Sequence, residues 1–189
     1  MSKATPLSKT RIDEFKDNDF VNDIVQQLKE ESELKGKIIT SGVRTYDKRY
    51  LVAHDIIADG IRDTFKLENK ADALDVSDYL CSFFDYLIGS HETEFIDNVI
   101  ETREKSFINH DFMVGIGFVV LAKRMLDENI KIRRIRNILG KIDFSKDNEE
   151  WRKIKLVTKN GEVTELSRAK KIIAKYFKEI ELEEGVLVD

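Results

Sequence analysis

Residues 109–141 read NHDFMVGIGFVVLAKRMLDENIKIRRIRNILGK, and the two halves of that stretch differ in kind. From Phe112 to Ala122 every residue is apolar or glycine, a run of 11 that includes two glycines. A helix that is hydrophobic all round has no face for water, so this run predicts a buried central helix. The second half turns cationic, with Lys123, Arg124, Lys131, Arg133, Arg134, Arg136 and Lys141. A core helix that hands over to a short basic one would present charge on a rigid platform.

Composition sets the frame around this stretch. A chain of 189 residues can bury one substantial core. Nine glycines and the single proline, Pro6, leave little material for long irregular loops and favour helices. The one cysteine, Cys81, excludes an internal disulfide and a cysteine-based zinc site within one chain. Residues 1–16 hold no apolar run of signal-peptide length, and 11 apolar residues are too few to span a bilayer. The expectation is a cytoplasmic protein with no membrane partner. The net charge of −4 conceals an asymmetry: residues 121–178 carry 17 Lys/Arg against 8 Asp/Glu, whereas residues 1–120 carry 15 against 23. A basic segment in an acidic chain points to a polyanion or to an acidic protein surface.

Working outward, the expected fold class is mainly α, a helical bundle-like domain with a small C-terminal β-hairpin. Residues 1–16 read as an extended arm, 17–180 as a single mostly helical domain, and 181–189 as an acidic tail. Phe20, Val21, Ile24, Val25 and Leu28 recur at helical spacing, and Gly36 is a stop. A short extended piece follows at 37–40, then a polar loop, then a helix from Leu51 with Ile56, Ile57, Ile61 and Phe65 on one face. Residues 71–89 form a strong amphipathic helix, and the short connection into the run containing Phe95, Val99 and Ile100 implies an antiparallel pair. Asn109 and Asp111 are candidate caps for the central helix, and Gly115 and Gly117 would let a neighbouring helix approach. Asn160-Gly161 is a strong turn signal, giving a hairpin at about 152–166. Ser167 is read as the cap of a last helix with Ile172, Ile173, Tyr176, Phe177 and Ile180 inward.

No catalytic constellation emerges. His54, His91 and His110 show no i, i+4 pairing for a metal and are read as surface or capping groups. Cys81 sits among apolar neighbours and is read as a small hydrophobe. The Gly115-x-Gly117 pair lies inside a predicted helix without a preceding strand, which argues against phosphate binding there. The expectation is therefore a non-enzyme without cofactor or metal. The cations are what remains. Arg and Lys supply the sequence-independent part of DNA affinity through phosphate contacts. The candidate DNA-binding residues are Lys131, Arg133, Arg134 and Arg136, supported by Arg152, Lys155 and Lys171. The last helix adds Arg168, Lys170, Lys175 and Lys178.

Three segments carry a family resemblance: Ala4–Thr10 (ATPLSKT), Asn109-His110-Asp111 leading into the apolar helix, and Ile142–Trp151 (IDFSKDNEEW) followed by a hairpin and a last helix. In these the chain resembles the C-terminal portion of the DndB family of DNA sulfur modification proteins, within the DGQHR-domain group. The DGQHR signature of that group's N-terminal module is absent from this sequence. The resemblance implies a DNA-associated component or regulator of a phosphorothioate modification system, with other proteins of that system as partners. It transfers no catalytic residue. The competing expectation is an assembly module whose basic face meets an acidic partner or another subunit of a homo-oligomer.

Overall fold

The computed structural model describes residues 18–40 and 48–182. The expected arm and most of the acidic tail lie outside the described residues, as does the loop at 41–47. Within them the fold is mainly α-helical: α1 (Asn18–Glu31), α2 (His54–Thr64), α3 (Lys70–Ser90), α4 (Val99–Lys105), α5 (Phe118–Asp127), α6 (Ile135–Leu139), α7 (Glu149–Lys153) and α8 (Leu166–Glu179). Two strands of two residues each, β1 (Ile38–Ile39) and β2 (Val52–Ala53), pair in parallel with Ile38 opposite Val52. Two π-turns, Thr93–Asp97 and Met113–Gly117, interrupt the helical path, and a 3₁₀ turn at Ile132–Arg134 precedes α6.

The buried central helix is present. Every residue from Phe112 to Val120 is buried, and the second π-turn feeds directly into α5. The two glycines of this turn face different neighbours. A Cβ on Gly115 would lie 2.8 Å from Ile56 Cγ2 and 3.0 Å from Ile57 N on α2. A Cβ on Gly117 would lie 2.7 Å from the Phe177 ring and 2.8 Å from Ile173 Cγ2 on α8. Their lack of side chains lets α2 and α8 close on the turn from two sides, leaving no room there for a phosphate. One continuous apolar core joins these elements, from Val21 on α1 to Leu182 beyond α8.

Aromatic packing locks the C-terminal third. Trp151 is fully buried, donates its indole N–H to Ser145 O at 3.0 Å, and lies 6.1 Å from the Phe107 ring and 5.2 Å from the Tyr176 ring. Phe118 meets Phe95, Phe144 and Phe177 edge-on, the arrangement that the ring quadrupole favours.

Several local expectations change. Leu51 to Ala53 is extended, and α2 begins only at His54. Helices α3 and α4 do not pair, because the π-turn and the break at Asn98 redirect the chain. The hairpin is shorter than 152–166. Asn148 caps α7 through Glu150 N, and burying Trp151 holds Glu149–Lys153 as a helical turn instead of a strand. The reversal that remains is a single antiparallel bridge, Val157 to Val163, around Thr158–Gly161 with Gly161 at φ 84°. Ser167 does not cap α8: the helix starts at Leu166, and the hydroxyl donates to Glu165 Oε1 at 3.2 Å.

Candidate nucleic-acid interface

Helix α8 divides into two faces. Ala169, Ile173 and Phe177, four residues apart, are each fully buried against the central turn and α5. Its C-terminal carbonyls are held from the core side, where the Arg124 guanidinium donates to Phe177 O at 3.0 Å and Ile180 O at 2.6 Å. Arg124 also pairs with Glu128 at 2.8 Å. Its charge therefore serves the fold.

The opposite face of α8 carries the cations. Arg168, Lys171, Lys175 and Lys178 are exposed and follow in steps of three, four and three, which places them in one row. At 1.5 Å rise per residue the row is about 15 Å long. Lys170 lies beside it and reaches across to α2, binding Asp59 at 2.6 Å. Burial pushes the Asp59 carboxyl up, but hydrogen bonds and charge from Lys170 and Arg62 outweigh it and hold the group below the ordinary range. Between α8 and α2 runs an open groove of about 520 Å³. Its floor is Gly60, Ile116 and Val120, and its α8 wall is lysine-rich.

The seven residues expected to contact DNA are dispersed over the connector with its 3₁₀ turn, α6, α7 and the chain leaving it, and α8. Lys131, Arg133 and Arg136 are exposed on the connector and α6, whose backbone is anchored to α3 by the Tyr86 hydroxyl donating to Arg133 O at 3.2 Å. Arg134 is half-buried and lines a small pocket with Lys141 and Glu181 near the end of α8. Arg152 is paired with Glu149 at 3.5 Å, and both groups are exposed. Lys155 sits at φ 65° where the chain leaves α7. Lys171 belongs to the α8 row. The connector itself turns on Asn129, a left-handed residue at φ 55° that takes the place of a glycine at the end of α5.

A buried polar cluster lies away from these cations, and sequence reasoning does not find it. Arg103, on α4, donates to Lys48 O at 2.9 Å, to Asn109 O at 3.2 Å and to Tyr50 O, and its guanidinium lies 5.0 Å from the Tyr50 ring centre. Asn109 is no cap. Its fully buried amide donates to Glu94 O in the first π-turn at 2.8 Å and to Val99 O at the start of α4 at 2.9 Å, tying the two together. Nor is His110 a surface group. Its Nε2 donates to Arg103 O at 3.1 Å between the rings of Phe107 and Phe112, and burial drives its pKa down to about 4. The Asp111 carboxyl accepts from Ala53 N–H and the Tyr50 hydroxyl. Burial raises its pKa against the opposing charge of Arg103. The cluster ties α4, the central turn and the strand pair together.

The remaining titratable groups follow the same physical rules. His54 lies between Lys29 Nζ at 3.0 Å and Asn22 Oδ1 at 3.2 Å, and burial followed by the Lys29 charge lowers its pKa. Cys81 is half-buried instead of enclosed. Burial, with Asp85, Glu31 and Asp78 around it, pushes its thiol up to about 11, which suppresses the nucleophilic thiolate. No group of three or more His, Cys, Asp or Glu side chains is arranged to hold a metal among the described residues. No helix among them is long and apolar enough to cross a membrane.

Comparison with known proteins adds one relative. The chain is similar to the SPbeta prophage-derived uncharacterized protein YopQ of Bacillus subtilis (strain 168), with 29% identity over 164 residues. The match covers 82% of this chain and 35% of the relative, so the chain spans about a third of the length of the curated protein it matches. No family model and no solved structure matches.

Proposed function

We propose that this protein is a non-enzymatic, DNA-associated component that docks on the phosphate backbone through its C-terminal cations. The α8 row carries the reading. Arg168, Lys171, Lys175 and Lys178 are exposed along one side of a helix whose other side is locked into the core. Four cations at about 5 Å intervals along a rigid helix suit a polymer that carries one charge per roughly 1.7 Å of axis. Lys131, Arg133 and Arg136 would extend the contact from the connector. These groups are flexible point charges or single guanidinium forks that suit phosphate oxygens, so the mode proposed is backbone docking without base readout. The pathway, a component or regulator of DNA phosphorothioate modification, rests on the resemblance of Ala4–Thr10, Asn109–Asp111 and Ile142–Trp151 to DndB proteins.

Fluorescence anisotropy with a labelled random-sequence duplex tests this over a salt series. Binding should weaken as a power of salt concentration, with a slope of roughly −3 to −5 on logarithmic axes for four or five neutralised phosphates. Replacing Lys171, Lys175 and Lys178 by Gln should flatten that slope by about one for each lysine replaced. A duplex that fails to bind at low salt would remove the proposal.

A further inference from the structure

The groove beside the lysine row has an apolar floor that a phosphate backbone would not use. It is lined by Gly60, Ile116, Val120 and Ala174 below and by Lys170, Lys171, Lys175 and Lys178 on the α8 side, with Asp63 and Glu179 at its edges. A fitting occupant carries carboxylates in a row with an aliphatic side chain among them. The chain itself has such a face. On α3, Asp75, Asp78, Ser82 and Asp85 follow in steps of three, four and three, and all four are exposed. Leu74, on the same side of α3, is 49% exposed, among the most exposed large apolar side chains of the described residues.

We infer that the α2–α8 groove seats the acidic face of α3 from a second copy of the chain. The match is one of spacing as well as sign. Arg168, Lys171, Lys175 and Lys178 repeat the same three-four-three steps, and two helices laid side by side share one rise per residue. In either relative direction three of the four cations then face a carboxylate, and in the antiparallel one Leu74 lies on the groove side of the row to meet the apolar floor. Neighbouring charges leave the sign of each face intact. Asp78 accepts from Gln27 Nε2 at 3.2 Å and Asp85 from Glu33 N at 2.7 Å, and Glu30, Glu31 and Glu33 on and just beyond adjoining α1 deepen the acidic side. On the basic side, Lys170 is paired with Asp59, and Lys175 lies 3.9 Å from Glu179. Lys171 and Lys178 have no ion-pair partner among the described residues. Helix α8 packs on the central turn and α5, while α3 packs chiefly on α1, with lesser contacts to α5 and α6, so the two exposed faces belong to different helices with different main neighbours. The contact is head-to-tail, and it propagates unless the rotation closes a ring.

The same lysines serve the proposed DNA contact, so duplex and second copy compete for them, and the test separates the two. Sedimentation velocity of the 189-residue chain, over a concentration series at low and high salt, reads the assembly. Mean mass should rise with concentration at low salt and fall back in high salt. Two double variants follow, Asp75→Lys with Asp78→Lys, and Lys171→Glu with Lys178→Glu, with circular dichroism confirming that both remain helical. Each alone should associate at least about tenfold more weakly, because like charges then face each other. An equimolar mixture of the two should associate again, because the unaltered lysine row of the first variant meets the unaltered acidic face of the second. The Asp75/Asp78 variant should bind duplex at least as tightly as wild type, whereas duplex binding by a wild-type chain that does not assemble would sink this inference and leave the DNA reading standing. A wild-type chain that stays monomeric at every concentration and salt would overturn the inference. So would reversed variants that assemble like wild type, or a mixture that fails to recover.

Discussion

Gly60 on α2 is packed directly on the carbonyl of Gly115: a Cβ at residue 60 would stand 1.9 Å from that oxygen. Backbone touches backbone here, and neither partner can swing aside as a long side chain could. Gly60→Ala should therefore cost about 3 kcal/mol, the upper range for overpacking, because α2 must lift off the central turn. Gly89, inside α3, has nothing within 4 Å of its would-be Cβ. Gly89→Ala should raise stability by up to about 1 kcal/mol through helix propensity and a less flexible unfolded chain. Urea unfolding of the two variants gives opposite shifts of the midpoint if this packing is right.

Arg103 satisfies three backbone carbonyls, of Lys48, Tyr50 and Asn109, that come from two distant stretches of chain. Lysine carries the charge but not the fork. Arg103→Lys should lose about 1 kcal/mol, and Arg103→Met about 2 kcal/mol, because two half-buried carbonyls, of Tyr50 and Asn109, are left without their donor. Thermal unfolding followed by circular dichroism would rank them wild type, Lys, Met. Equal stability of all three would mean that the cluster does not hold the strand pair against α4.

His110 makes stability depend on pH. Its folded pKa of about 4 lies below the ordinary 6.5, so the unfolded chain takes up the proton first as the pH falls. Stability is then complete above about pH 6.5 and declines toward pH 4, by at most about 3 kcal/mol. Asp111 acts in the opposite sense: its raised pKa lets the folded state bind a proton early, which offsets part of the loss. Urea unfolding at several values between about pH 7 and pH 4.5 should show a falling free energy, and His110→Gln should flatten it. An unchanged slope in that variant would assign the acid sensitivity to other groups.

The helical fold is legible in residues 109–141 because the apolar run there is too continuous for any solvent-facing element. The three-four spacing on α1, α3 and α8 is equally direct, since each must bury one stripe. Ile38–Ile39 reads correctly as extended, but its partner at Val52–Ala53 reads as helix, because two apolar residues suit either state. Trp151 misleads in a similar way. WRKIKLV carries strand-like residues, yet the burial of one indole and a cap from Asn148 fix a helical turn.

At the candidate site, the cations of α8 are visible as residues but their setting is not. The groove exists because Gly60 and Gly115 let α2 close on the central turn, a contact across more than fifty residues. Arg103 gives no signal, because its partners are backbone carbonyls, which every sequence has at every position. The Asn109-His110-Asp111 triplet has the residue types of a helix cap. Its members instead reach toward the first π-turn, the carbonyl of Arg103 and the N–H of Ala53.

The most direct measurement is lysine footprinting by acetylation and mass spectrometry, with and without a saturating duplex. If the α8 row holds the phosphate backbone, Lys171, Lys175 and Lys178 lose reactivity when duplex is added, while exposed Lys66 and Lys70, beyond α2 and at the start of α3, keep theirs. Unchanged reactivity along α8 while duplex is demonstrably bound would contradict the assignment and move the contact elsewhere on the chain.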